Sequence, residues 1–149
     1  KNGQFFSGWK AAGVGILSSV VLLIGIFGYV YFGPEDFDFE KYDNGFAEFQ
    51  KNEMEAQSLI TTLQQIDPKE AAKIIKEKGI PIWEENLQII NNLDTIKGLY
   101  VELINQNQIL REYCLLRIKS YELLIKMLNE NTNLYEPEIR RINQSATSL

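Results

Sequence analysis

Residues 11 to 32 read AAGVGILSSVVLLIGIFGYVYF, an unbroken run of 22 residues with no charge, Pro, Asn or Gln. As a helix rising ~1.5 Å per residue the run is ~33 Å long, about the thickness of a bilayer's hydrocarbon core. A buried core helix this apolar would need a large protein around it. A signal peptide would have a shorter apolar region and a small-residue cleavage site, but this run leads into Tyr29, Val30, Tyr31, Phe32, Gly33 and Pro34. The sequence therefore predicts a transmembrane helix over residues 11–33, preceded by a juxtamembrane loop over 1–10. Trp9 and Lys10 before the run, and Tyr29, Tyr31 and Phe32 at its end, suit the two membrane interfaces.

The flanks set the expected orientation. Lys1 and Lys10 are the charges before the span, whereas Glu35, Asp36, Asp38 and Glu40 follow it ahead of the first Lys. The positive-inside rule places the N-terminal side in the cytoplasm and the C-terminal tail outside. The expected location is the inner membrane of a bacterium, with a periplasmic tail. The chain opens at Lys1 without Met, in what reads as a loop, so it is expected to be either processed or a piece of a longer membrane protein carrying its last transmembrane helix.

All 20 acidic residues, but only 13 of the 15 basic ones, lie beyond residue 34, so the tail carries a net charge of about −7. That balance argues against nucleic acid and against docking on anionic lipid. Apolar residues recur at helical spacing through the tail, so residues 34–149 are expected to fold as an extramembrane helical bundle. Phe39, Tyr42, Phe46, Phe49, Ala56, Leu59, Ile60, Leu63 and Ile66 mark a first helix, from about Phe37 to Ile66. The aromatic residues at its start are expected to pack on one another. Asp67-Pro68 reads as a helix start, with Glu70 completing an approximate capping box. Gly79 is expected to end that short helix as a C′ residue, and Pro81 to open another carrying Ile82, Trp83, Leu87, Ile90 and Leu93, ended by Lys97-Gly98.

The longest segment, Leu99 to about Asn131, carries two adjacent stripes: Leu103, Leu110, Cys114, Tyr121, Leu124 and Leu128, then Ile109, Tyr113, Leu116, Leu123 and Met127. Two stripes predict neighbours over a wide arc, as in a bundle. After the loop Asn131, Thr132, Asn133, a last helix starts at Glu136-Pro137 with Ile139 and Ile142. No strict period-two alternation appears. The expected fold is all-α: one N-terminal transmembrane helix followed by an antiparallel helical bundle of about three main helices.

The chemistry is constrained by absences in the sequence. It has no His and one Cys, which removes Ser-His-Asp and Cys-His sites, HExxH metalloprotease sites and the usual zinc sites. Neither a GxxxxGK[ST] loop nor a GxGxxG after a strand is present. Gly13, Gly15, Gly25 and Gly28 all lie inside the span. Glu84 and Glu85, neighbours on a helix, diverge by ~100° and do not face each other. Asp36, Asp38, Glu40 and Asp43 lack a calcium-loop pattern and read as a solvated acidic linker. Cys114 reads as a small buried apolar residue, and Trp83 as a core residue. No catalytic, cofactor-binding or metal-binding residue is assigned, and no cofactor is expected. In the span, Ala11, Gly15, Ser18, Leu22 and Gly25 share a face on which another membrane helix can pack. The span carries no charge for a proton relay or ion path.

Three stretches carry a resemblance: Lys78-Gly79-Ile80-Pro81-Ile82-Trp83-Glu84-Glu85-Asn86, then Leu110-Arg111-Glu112-Tyr113-Cys114-Leu115-Leu116-Arg117-Ile118-Lys119-Ser120-Tyr121-Glu122-Leu123, then Asn131-Thr132-Asn133-Leu134-Tyr135-Glu136-Pro137-Glu138-Ile139. Together they resemble the C-terminal extension of rhomboid-family intramembrane serine proteases of Bacteroidetes-type bacteria, over residues 10 to 145. The resemblance implies that this chain is an extra last span with its tail, the catalytic core lying elsewhere. Ser18-Ser19 lack the family's Gly-x-Ser-Gly setting, so no catalytic residue carries over. A seventh helix would also place the tail outside the cytoplasm. Asp94-Thr95-Ile96 resembles the short O-glycosylation signal of periplasmic proteins in that phylum.

The expected function is a non-catalytic, membrane-anchored helical interaction or accessory module, whose partners are the lipid bilayer and other membrane helices or membrane proteins. Its mark would be a large exposed apolar or aromatic patch on the folded tail. The alternatives are an extracytoplasmic sensor bundle, marked by a polar-lined pocket with Trp83 or Tyr113 at its wall, and a single-span subunit of a membrane complex that packs through the Gly15 face.

Overall fold

A computed structural model describes residues 36–149. Every regular element among them is helical: α1 Phe39–Leu63, α2 Pro68–Ile74, a π-helical turn Ile75–Gly79, α3 Ile80–Asp94, α4 Val101–Glu130 and α5 Glu136–Thr147. The expected all-α bundle is present. Among the described residues no helix is long and apolar enough to cross a membrane. The expected span over 11–33, the loop over 1–10 and the packing face of Ala11, Gly15, Ser18, Leu22 and Gly25 lie outside the described residues.

Local chemistry sets most boundaries. Asp38 caps α1, its carboxylate accepting from Lys41 N at 3.0 Å. Asp67 caps α2, accepting from Lys69 N at 2.9 Å and Glu70 N at 3.3 Å, with Pro68 at the first helical position. Asn131 ends α4 in the left-handed conformation, φ 50°. Asn tolerates this region better than most residues, because its short polar side chain bonds locally.

One expected boundary is corrected. Gly79 does not terminate a helix: its φ is −67°, and the chain runs on through the π turn into α3. The wide turn stands immediately before Pro81, which lacks an N–H and whose ring would clash with a carbonyl one turn back; a π turn relieves both. Gly79 is needed for close approach instead. A Cβ there would stand 3.1 Å from the Tyr121 ring. The next boundary also moves, since α3 ends at Asp94 and Gly98, at φ +75°, sits in the following turn.

α1 and α3 run antiparallel and close together, with Gly45 of α1 lying under Leu93 of α3. α4 packs along α3 and crosses α2, and α5 packs on α4. The backbones of α1 and α4 scarcely approach each other. Tyrosines span that gap: Tyr42 from α1 reaches Asn107, while Tyr113 and Tyr121 from α4 reach Glu53 and the Ala56 carbonyl. Trp83, fully buried, fills the space between them, its ring edge-on to Tyr113 at 5.5 Å and to Tyr121 at 6.3 Å. A gap this wide needs large side chains, and aromatic rings fill it with the least loss of rotamer freedom.

The first stripe of α4 is buried throughout, from Leu103 to Leu128. In the second, Tyr113, Leu123 and Met127 are buried, but Ile109 is exposed. α5 covers this side of α4 near Arg117 and Ser120, which leaves Ile109, more than two turns earlier, without cover. The aromatic residues near the start of the bundle pack as expected. Phe37 stands 5.9 Å from Tyr42 and 5.6 Å from Tyr100, and Phe46 stacks on Phe49.

Candidate functional site

Six polar or charged residues are buried in the bundle: Asn52, Glu53, Asn86, Asn107, Arg117 and Ser120. All but Asn52 fall into two networks. The deeper one draws on every long helix. Glu53 of α1 accepts the Tyr113 hydroxyl proton at 2.5 Å. Arg117, one turn beyond Tyr113 on α4, lays its guanidinium over Trp83 at 5.6 Å and over Tyr113 at 5.7 Å. Its Nη1 donates to Asn143 Oδ1 of α5 at 3.1 Å, and Ser120 Oγ donates to the same oxygen at 3.1 Å. A desolvated cation over an aromatic face is worth about 2 kcal/mol, so Trp83 and Tyr113 help Arg117 to remain charged out of water. Asn86 Nδ2 donates to the Phe49 carbonyl at 3.2 Å. Trp83 Nε1, Arg117 Nε, Asn86 Oδ1 and Asn52 Nδ2 are buried without a hydrogen-bond partner.

The second network lies at the end of the bundle where the chain enters from residue 36. Tyr42 donates to Asn107 Oδ1 at 2.8 Å, and Asn107 Nδ2 donates to Asp94 Oδ1 at 2.7 Å. Arg111 donates to the other Asp94 oxygen at 2.6 Å and to Asn91 at 3.2 Å. Arg111 and Asp94 each keep about a third of their side chain in solvent.

Ionisation follows depth. Burial first, and the Asp94 charge second, push the Tyr42 hydroxyl up to about 12. Tyr113 is raised further, by burial first, with Arg117 opposing and Glu53 adding to the shift. Burial pushes the Cys114 thiol up to about 12, the Glu53 carboxylate adding to it. Nucleophilic attack requires a thiolate, and Cys114 is a thiol at neutral pH with no exposed surface. It is a core residue, as expected.

Trp83 is likewise a core residue. An open groove of about 300 Å³ lies elsewhere, lined by Glu55, Ser58, Leu59, Thr62, Lys78 and Ile82. Glu84 and Glu85 are both exposed. Thr95 is exposed, but its Oγ1 donates to the Asn92 carbonyl at 2.7 Å, and Asp94 beside it is committed to Asn107 and Arg111. Among the described residues no group of His, Cys, Asp or Glu is arranged to hold a metal ion.

The outer side of α4 has a different character. Val101, Ile104 and Leu115 are 63%, 39% and 53% exposed. At 3.6 residues per turn they fall within about 60° of one another around the helix. They lie on the side of α4 facing away from the bundle, Val101 and Ile104 one turn apart and Leu115 three turns further on, with Gln108 and Glu112 between.

Sequence reading missed the buried polar residues, yet a signal for them existed. Each occupies a core register position. Glu53 lies four residues after Phe49 and three before Ala56; Asn86 three after Trp83 and four before Ile90; Asn107 four after Leu103 and three before Leu110. Arg117 lies four after Tyr113 and four before Tyr121. A polar residue surrounded at these spacings by core residues must itself enter the core. No protein-family model matches the chain, and no curated protein or solved structure matches it.

Proposed function

We propose that this chain is a non-catalytic, membrane-anchored helical module that works by binding another membrane protein. The observation that carries the reading is the exposure of Val101, Ile104 and Leu115 on the outer side of α4. Monomeric proteins leave single apolar side chains exposed as a matter of course, but Val101 and Ile104, one turn apart with Leu115 three turns further on the same face, offer anchors to a partner that packs along the helix. The inward groups support the same reading. Glu53, Tyr113, Cys114, Arg117 and Trp83 are buried and packed against one another, away from any substrate in solution. The apolar run over residues 11–32 is the proposed anchor, and its flanking charges favour a periplasmic bundle. On the resemblance drawn from the three sequence stretches, the anchor is the last span of a rhomboid-like protease and the bundle is its extracytoplasmic tail.

Photo-crosslinking in native membranes tests the binding surface. A photoreactive residue at Ile104 or Leu115 is expected to give a discrete adduct with another protein. The same residue at Gln88 or Glu84, exposed on α3, is expected to give none. Equal labelling from both helices would sink the reading. Alkaline phosphatase fused after residue 149 is expected to be active, and an inactive fusion would reverse the orientation.

A further inference from the structure

α5 is held differently from the rest of the bundle. α1, α3 and α4 each pack against at least two other elements, whereas α5 packs closely on α4 alone. It buries only Ile139, Ile142 and Ala146. Asn143 accepts from Arg117 and Ser120, and Glu138 pairs with Lys119 of α4 at 3.6 Å in an exposed contact. The loop before it, residues 131–135, includes left-handed Asn131 and Leu134, the latter 74% exposed. Two exposed intrahelical pairs, Arg140–Glu136 and Arg141–Glu138, favour the helical state whether or not α5 is docked. Elements with few buried contacts open before the rest of a fold.

The surface beneath α5 is that of a helix-binding groove. The side of α4 that carries Ser120, Leu123 and Met127 is buried, and Arg117 lies at its edge. Arg117 Nε has no acceptor, and α5 offers this cation a neutral carboxamide. We propose that α5 is a displaceable latch, and that the groove it fills receives an amphipathic helix of a protein partner. Such a helix presents branched apolar residues three apart, as Ile139 and Ile142 do, and a carboxylate or carboxamide next to the second one, facing Arg117. A carboxylate there satisfies the guanidinium better than Asn143, because charge-assisted hydrogen bonds are the stronger kind. The proposal deepens the reading of the chain as an interaction module and rests on it, but uses a different face of α4.

Two measurements on the full chain in nanodiscs test it. In hydrogen exchange, α5 amides are expected to exchange at least 100-fold faster than those in the middle of α4, with α1 and α3 protected throughout. Exchange of α5 together with α1 and α4 as one unit would overturn the proposal. The second uses a fluorescent peptide of residues 134–149 as the probe. Ile142→Ala weakens the resident latch, and peptide capture is expected to rise tenfold or more over the unaltered chain. A peptide with Asn143→Asp is expected to bind more tightly still. If the Ile142→Ala chain keeps its α1 and α3 protection and captures no peptide, the groove takes no second helix and the proposal fails. If that chain loses its α1 and α3 protection, α5 is an integral part of the fold, and the proposal fails too. Dimerisation of the unaltered chain with rising concentration would assign the groove to a second copy and overturn the partner. None of these failures touches crosslinking from Ile104 and Leu115, so the two readings fall separately.

Discussion

The two polar networks use the same kinds of group at different depths. At the entry end, Tyr42, Asn107, Asp94 and Arg111 form a chain of hydrogen bonds whose last two members reach water. In the middle, Tyr113 donates to Glu53 and Arg117 donates to Asn143, the two bonds linked by the Arg117 guanidinium over the Tyr113 ring, and Glu53 and Arg117 are almost completely buried. Water screens the first ion pair and leaves it worth little. The deep charges have no such screening, so each depends on the others staying in place. The comparison teaches that in this bundle the same kind of bond counts for more where water is excluded from its charged members.

The largest expected effect follows directly. Arg117→Met removes the cation and leaves the Glu53 carboxylate in the core. It is expected to destabilise the bundle by about 3–5 kcal/mol, the cost of removing one partner from a buried charged cluster. Arg111→Met, in the exposed pair, is expected to cost under about 1 kcal/mol. Thermal unfolding followed by circular dichroism reads both. Adding Glu53→Leu to Arg117→Met is expected to recover much of the loss, since the remaining charge goes with it. Equal costs at Arg111 and Arg117 would show that depth does not separate the networks.

Alkaline pH separates them a second way. The Tyr42 hydroxyl has an ordinary value of 10 and is raised to about 12 in the fold. Between those values the folded state binds more protons than the unfolded one, so stability falls as pH rises. The contribution is whole below pH ~10 and is lost as pH passes ~12, amounting to roughly 2–3 kcal/mol. Tyr113, raised further by burial and by the Glu53 carboxylate that accepts its hydroxyl, is expected to ionise after Tyr42. Tyrosinate absorbance in Tyr42→Phe and Tyr113→Phe variants checks the order. Loss of the earlier step in Tyr113→Phe would reverse it.

How much of this was legible in the sequence depends on what each feature required. The cap at Asp67 and the loop at Asn131 depend on residues within a few positions, and both stand where the sequence puts them. So does the first stripe of α4, whose period fixes which face turns inward. The continuous path through Gly79 did not show, because Gly before Pro reads locally as a stop. Its real constraint is the Tyr121 ring, 42 positions later in the chain. Ile109 fits a core stripe by period alone, but burial there depends on how far α5 extends along α4. Arg117 and Glu53 were legible by register and were passed over because charge reads as surface. The exposure of Val101, Ile104 and Leu115 needed the fold, since only packing tells which arc of α4 is left uncovered.

Two glycines, one at the entry end and one in the middle, separate the same regions by smaller steps. Gly45 belongs to the close α1–α3 contact, where a new Cβ would meet the Leu93 side-chain end at 2.7 Å. That methyl lies at the end of a flexible side chain and can turn aside. Ala also favours a helix interior over Gly by about 1 kcal/mol, so Gly45→Ala is expected to be within about 0.5 kcal/mol of neutral. At Gly79 the obstacle is the Tyr121 ring at 3.1 Å. That ring is fixed by its hydroxyl bond to the Ala56 carbonyl and by Trp83 packed edge-on against it. It cannot retreat without disturbing the bridge between α1 and α4. Gly79→Ala is therefore expected to cost about 1–2 kcal/mol, the usual penalty for overpacking offset by the gain in helix propensity. The two variants compared by thermal unfolding test whether the middle of the bundle is the stiffer region. A Gly79→Ala chain as stable as Gly45→Ala would mean that the tyrosine bridge yields, and that the wide gap between α1 and α4 is soft.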